Sequence, residues 1–245
     1  MLFERLRDAE AVAVRGAELV AECLRAKPAA VLLLPAGATP VPLYAELVRR
    51  ARAGTLDLAR ARLFQLDELL GVGPADSRSF HAFLQQHLID PLQLGERFYG
   101  LDGSAREPAA EIERHRRALA ALGPADAVLL GLGRNGHAAF NEPGSPPGCG
   151  ARVVELGAST IQALGAHFPH EHVRPRRGLT LGLAEIAAAK RIVLLVTGAA
   201  KAAILGQLLH APPSSERPAS LLKGHAHFFV LADEAAAGDA ARAGA

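Results

Sequence analysis

Aromatic residues make up only 4% of this 245-residue chain, and it has two cysteines and no long apolar run. Each scarcity excludes a class. Recognition of nucleic acid calls for a basic stripe interleaved with stacking aromatics. Here the basic clusters are short (Arg49 to Arg52, Arg174 to Arg177) and the formal net charge is +2, so no nucleic-acid partner is expected. Cys23 and Cys149 match no metal spacing and no disulfide framework, and a reduced pair of thiols is expected. No stretch reaches the roughly 20 apolar residues of a membrane span. The best candidate, Arg191 to Leu205, is broken by Gly198 and Lys201. Glu4, Arg5, Arg7 and Asp8 occupy the place where a signal peptide needs an apolar core. A soluble, cytoplasmic chain with no membrane partner is the expectation.

What is present is an ordinary globular composition, 50% hydrophobic and 21% charged. A chain of this length can bury about 70–75% of its unfolded surface. α/β folds of roughly 250 residues commonly form one unit. No Pro, Gly and Ser-rich linker divides the chain, so residues 1–245 are expected to form one domain, with a frayed Ala-rich tail over 235–245.

Short apolar runs alternate with helical patterns. A helix is predicted over Ala9 to Arg25, with Val12, Leu19, Val20 and Cys23 toward the core. Ala30 to Leu34 lies between Pro28 and Pro35 and reads as a strand buried on both faces. Pro40 opens a helix over Val41 to Ala53, at a position where proline is tolerated. Arg62 to Leu66 is a strand ending at Asp67, Ser79 to His87 a helix, and Pro108 to Leu122 a helix with its charges on one face. Ala127 to Leu132 is a strand entering a glycine-rich loop, and Ile186 to Ala189 ends a helix. Ile192 to Val196 is a strand followed by a helix through Leu209, and His227 to Leu231 is the last strand. The repeated strand, loop and helix predict an α/β fold of three layers, a mostly parallel sheet with helices on both faces.

In such folds ligands bind beyond the carboxyl ends of the strands. Four segments place chemistry there. Pro35-Ala36-Gly37-Ala38-Thr39-Pro40 joins a buried strand to a helix N-terminus, a favourable anion site, with Gly37 allowing close approach and Thr39 able to cap the helix or meet a phosphate. Asp67 and Glu68 follow a strand, where a partly desolvated carboxylate can act as a general base. Gly131 to Gly144 packs Asn135, His137, Asn141 and Glu142 between glycines, and a His–Glu pair in one loop is suited to proton transfer. Lys201 sits near a helix N-terminus after Thr197-Gly198, a position that disfavours a cation unless it faces an anion. Taken alone, the first and second segments read better as a capped turn and as an N-cap or solvated loop acid, and the fourth also fits an exposed lysine. The third is too dense in polar groups for a plain turn. His167, His170 and His172, and His225 and His227, lack partners at metal spacing, so no metal site is predicted.

The stretch LLGLGRNGHAAFNEPGS resembles the signature of the glucosamine-6-phosphate deaminase family, which shares a broad fold with 6-phosphogluconolactonase. LLLPAGATPVPLYAELV, FQLDELLGV, RGLTLGLAEIAAAKRIVLLVTGAAKA and RPASLLKGHAHFFVLADEAA are similar to its other blocks, in the same order, from about residue 30 to 235. The resemblance implies conversion of a 2-amino-2-deoxy-hexose 6-phosphate to a ketose 6-phosphate and ammonia, without a metal or organic cofactor. It implies that His137 opens the sugar ring, supported by Glu142 and Asn135. Asp67 would move the C2 proton to C1, and Gly37, Ala38, Thr39 and Lys201 would hold the phosphate.

Three departures stand out. Asn135 replaces an Asp of longer, allosteric relatives and cannot titrate. Ala166 stands where a phosphate-binding Arg is expected, leaving His167, His170 or Arg174 as candidates to substitute. Basic residues of the allosteric site are mostly absent, although Arg152 remains, so no allosteric activation is expected. The galactosamine epimer, a 6-phosphogluconolactonase and a non-catalytic sugar-phosphate sensor remain alternatives. A monomer is the expected state.

Overall fold

The computed structural model describes residues 1–238. In chain order its regular elements are β1 (Leu2–Leu6), α1 (Ala9–Ala26), β2 (Val31–Leu34), α2 (Val41–Arg52), β3 (Arg62–Gln65), β4 (Asp67–Leu69), α3 (Phe80–Leu84), β5 (Phe98–Tyr99), α4 (Pro108–Leu122), β6 (Ala127–Gly131), β7 (Arg152–Glu155), α5 (Ala158–Ala163), β8 (Arg177–Thr180), α6 (Leu183–Ala187), β9 (Ile192–Val196), α7 (Ala202–His210), β10 (Phe228–Asp233) and α8 (Glu234–Ala237). Seven strands form one sheet in the order β1-β10-β9-β6-β2-β3-β5, every neighbouring pair parallel.

Strand alternation divides the core into two layers, because successive side chains leave opposite faces of the sheet. Leu32, Leu34, Leu63, Leu129, Val193 and Leu195 meet α1 and α2 on one face. Val31, Leu33, Phe64, Val128, Leu130, Ile192 and Leu194 meet α4, α6 and α7 on the other. Each fully buried Leu or Val contributes about 1.5–3 kcal/mol of apolar transfer. The expected three layers are therefore present.

A second sheet was not foreseen. β4, β8 and β7 form a small antiparallel sheet in that order. The chain leaves the parallel sheet at Leu66, whose N–H still donates to Leu34 and whose carbonyl accepts from Leu181. Asp67 then pairs with Thr180. Asp67 thus begins a strand of the second sheet rather than ending one of the first.

Other expectations shift in detail. β1 was missed, and it pairs along the sheet edge with β10. The helix expected over Ser79 to His87 is a short α3, capped by Ser79 and continued by a π turn over Gln85–Ile89. Thr39 caps nothing, since Pro40 is the N-cap of α2 and no side chain bonds there. The tail expected to fray from residue 235 begins as α8, with Ala236 and Ala237 buried; residues 239–245 lie outside the described residues.

At the amino ends of the strands, buried Asp126 accepts from Val31 N–H at 2.8 Å, Lys27 Nζ at 2.6 Å and Lys190 Nζ at 2.9 Å. The chemistry gathers at the other end.

Candidate active site

β2 leads through α2 to β3 on one side, whereas β6, β9 and β10 lie on the other. Beyond the carboxyl ends of β2 and β6 the connections diverge, and such a switch point opens a crevice in a parallel sheet. All four candidate segments leave the carboxyl ends of the adjacent strands β3, β2, β6 and β9.

The loop after β6 is held by its own polar groups and by β8. Asn141, fully buried, donates to Ala138 O at 2.9 Å and Leu181 O at 3.0 Å. Its Oδ1 accepts from the Arg152 guanidinium at 2.9 Å, which also donates to Ser145 Oγ at 3.0 Å. Arg152 is therefore engaged within the fold. Phe140 N–H donates to Thr180 Oγ1 at 3.2 Å, and Thr180 is the register partner of Asp67. That link brings the strand of Asp67 and the histidine loop together.

Within the loop, Asn135 Nδ2 donates to Glu142 Oε2 at 2.7 Å, and Asn135 Oδ1 accepts from His137 N–H at 3.2 Å. His137 Nδ1 lies 3.4 Å from Glu142 Oε2 and 3.3 Å from Thr160 Oγ1. Burial would raise the Glu142 carboxyl, but His137, Thr160 and Asn135 outweigh it and bring Glu142 down to about 2. Gly133 lies against the His137 ring: a Cβ there would stand 2.3 Å from His137 Cδ2.

Alternation along β4 sends the adjacent acids to different surroundings. Glu68 is fully buried and accepts from Leu69, Phe80 and His81 N–H and from Gln65 Nε2, at 2.7–3.0 Å. It is a structural anchor for the start of α3. Asp67 accepts no hydrogen bond on its carboxylate from the described residues, although it is only 7% exposed. Burial first, then the charges of Glu68 and Glu142, push Asp67 up to about 8. Two carboxyls of one site are thus driven in opposite directions, the pattern that separates acid and base roles.

On β2's end, Gly37 has φ +117°, and nothing lies within 4 Å of where its Cβ would be. The N–H groups of Gly37, Ala38 and Thr39 have no acceptor among the described residues. They form an open donor set at the start of α2. Lys201 lies in a tight turn just before α7 and donates to Leu132 O at 2.6 Å. Burial, then the Arg134 charge, push Lys201 down. No hydrogen bond joins Gly37, Ala38 or Thr39 to the other groups among the described residues. Arg174, one candidate to replace the expected Arg, donates to Phe168 O at 2.9 Å and Pro169 O at 3.3 Å. Thr160 was missed by sequence reasoning, because a single Thr on a six-residue helix carries no pattern of its own.

Cys23 and Cys149 are both free. Among the described residues no group of His, Cys, Asp and Glu is placed to hold a metal ion, and no helix is long and apolar enough to cross a membrane.

Fold and site together define an α/β protein with carboxyl and imidazole groups gathered at the strand ends, where a turn of open N–H donors also lies. The chain belongs to the glucosamine-6-phosphate isomerase/6-phosphogluconolactonase family, whose model matches residues 7–230. It is 39% identical to glucosamine-6-phosphate deaminase 2 of Giardia intestinalis over 92% of this chain and 86% of that protein. It is 39% identical to a glucosamine-6-phosphate deaminase of Bacillus velezensis over 95% and 97%. A solved monomeric glucosamine-6-phosphate deaminase superposes with a TM-score of 0.93 at 34% identity, covering 97% of this chain and 99% of that one. A 6-phosphogluconolactonase of Trypanosoma brucei shares the fold, with a TM-score of 0.75 at 22% identity over 96% and 97%.

Proposed function

We propose that this protein is a glucosamine-6-phosphate deaminase, converting glucosamine 6-phosphate and water to fructose 6-phosphate and ammonia. The observation that carries the reading is Asp67, a buried carboxyl with no hydrogen-bond donor among the described residues, near enough to Glu142 of the His137–Glu142 pair to be raised by its charge. Hydrolysis of a lactone needs no base at a sugar C2, whereas enolisation does. The relatives named as deaminases, 36–39% identical over most of the chain, support the same choice.

The phosphate binds the free N–H groups of Gly37, Ala38 and Thr39 and the Lys201 ammonium. Arg134 supplies a second cation. It is exposed, lies two residues beyond the carbonyl that Lys201 holds, and has no hydrogen-bond or ion-pair partner among the described residues. This anchorage positions C2, so that remote binding energy serves the reaction. His137, with Nδ1 beside Glu142, moves a proton between the anomeric hydroxyl and the ring oxygen and opens the ring. Asp67 then takes the C2 proton, the electron pair passing into an enolamine. The amino group at C2 is cationic before it reacts, and its charge beside Asp67 favours the carboxylate form that a base requires. Asp67 returns the proton to C1, leaving an imine at C2. Water adds to C2, and the resulting carbinolamine expels ammonia to leave the ketone. Asn135 holds Glu142 and the loop without titrating. The protein acts as a cytoplasmic monomer in this reading, as its solved relative is described to be monomeric.

Purified protein offered glucosamine 6-phosphate, galactosamine 6-phosphate and 6-phosphogluconolactone separately tests the reading. The expected result is ammonia, with the higher kcat/KM on the glucosamine compound. Lactone hydrolysis without ammonia from either amino sugar would overturn it.

A further inference from the structure

The His137 ring has two nitrogens, and the reaction needs one of them free for the substrate. Nε2 has no hydrogen-bond partner among the described residues, whereas Nδ1 has two neighbours. One is Glu142 Oε2 at 3.4 Å, long for a charge-assisted bond, which usually spans about 2.7–2.9 Å. The other is Thr160 Oγ1 at 3.3 Å. Glu142 Oε2 already accepts from Asn135 at 2.7 Å. The carboxylate therefore shares its near oxygen, and the hydroxyl is at least as close to the imidazole as the carboxylate is. Thr160 is 7% exposed and belongs to α5, an element apart from the histidine loop. Its neighbour Gly157 brings the start of α5 so close that a Cβ there would stand 3.1 Å from Glu142 Oε2.

We infer that Thr160 is a positioning residue for the proposed reaction: its hydroxyl accepts the Nδ1 proton of His137 and turns its own proton toward Glu142, fixing the tautomer that leaves Nε2 free. The directions follow from the groups. An ionised carboxylate only accepts, and a hydroxyl both donates and accepts. A hydroxyl placed between an N–H and a carboxylate therefore relays the bond from one to the other. The wrong tautomer would turn an N–H toward the sugar oxygens and remove the lone pair that takes a proton.

The inference rests on His137 being the acid–base group, and its test has an arm that needs no substrate. Thr160→Val keeps the shape and removes the hydroxyl, and Thr160→Ser keeps the hydroxyl and removes a methyl. In ¹⁵N-labelled protein at a pH where His137 is neutral, the imidazole signals of wild type and Thr160→Ser are expected to report Nδ1–H. Thr160→Val is expected to show a mixture with Nε2–H. With glucosamine 6-phosphate, Thr160→Val is expected to lose about tenfold in kcat, less than the roughly 10²–10⁴-fold of a whole acid–base group because His137 itself remains, with KM little changed and the pH–rate profile displaced. Thr160→Ser should recover most of the rate. Unchanged tautomers in Thr160→Val would overturn the inference, whatever the activity. So would a rate loss that Thr160→Ser shares equally, which is the signature of lost packing. Absence of activity in the wild type with the tautomer shift still present would count against the proposed reaction and leave the positioning role standing.

Discussion

Asp67, Glu68 and Glu142 show how strongly placement governs one functional group. All three are carboxyls within or beside one crevice. Glu68 meets four donors and anchors α3. Glu142 sits beside an imidazole and is held down to about 2. Asp67 has burial and two like charges for company and is raised to about 8. The adjacent acids of Leu66-Asp67-Glu68 are distinguishable in sequence only as a pair, because nothing local says which one the pleat turns inward. The raised group has a consequence for stability. Above its ordinary 3.8 the unfolded chain releases the Asp67 proton while the folded chain keeps it up to about 8. The unfolded state is then favoured increasingly as pH rises through that window. Glu68, raised to about 7, acts in the same direction. Glu142 acts at the acid end, where its contribution is lost as pH falls toward 2. Melting curves taken between mildly acidic pH and pH about 8 should therefore show Asp67→Asn losing less Tm than wild type as pH rises.

At the scale of elements, the loop after β6 carries the proposed acid–base pair, and Gly133 is fitted to it as closely as its polar residues are. A methyl at Gly133 would lie 2.3–2.5 Å from Cδ2, Cγ and Nε2 of His137. The ring is the freer partner and would be displaced. Gly133→Ala is expected to lower kcat by about 100-fold, as a shift of roughly 1 Å does in a positioned site. The loss of stability, read by denaturant melts, should stay within about 1–3 kcal/mol.

This loop was legible because a buried strand followed by Gly, Asn, His and Glu at close spacing has few bland explanations. β2, β6 and β9 were equally legible, since strands covered on both faces read as unbroken apolar runs. The antiparallel sheet was not. β8 (Arg-Gly-Leu-Thr) and β7 (Arg-Val-Val-Glu) carry two apolar residues each or fewer, and their pairing is non-local. β1 is an edge strand of the sheet and sets two adjacent charges, Glu4 and Arg5, between Phe3 and Leu6. Thr160 enters the site only through this second sheet and its connection, so its role followed from geometry alone.

Across the whole molecule the two ends of the sheet divide the work. At the amino ends Asp126 ties β2, β6 and β9 together through one backbone N–H and two lysines. At the carboxyl ends β2 leads into N–H donors and β3 into a carboxyl, Asp67, that have no hydrogen-bond partner among the described residues, which is the arrangement a phosphorylated, nitrogen-bearing substrate would complete. The most direct measurement of that claim is conversion of glucosamine 6-phosphate in deuterium oxide, followed by proton NMR together with ammonia release, for wild type and Asp67→Asn. The account predicts loss of the C2 proton signal with ammonia and a ketose 6-phosphate in wild type. In Asp67→Asn it predicts a bound but unchanged sugar, with its C2 proton retained. Ammonia release by Asp67→Asn at the wild-type rate would contradict it.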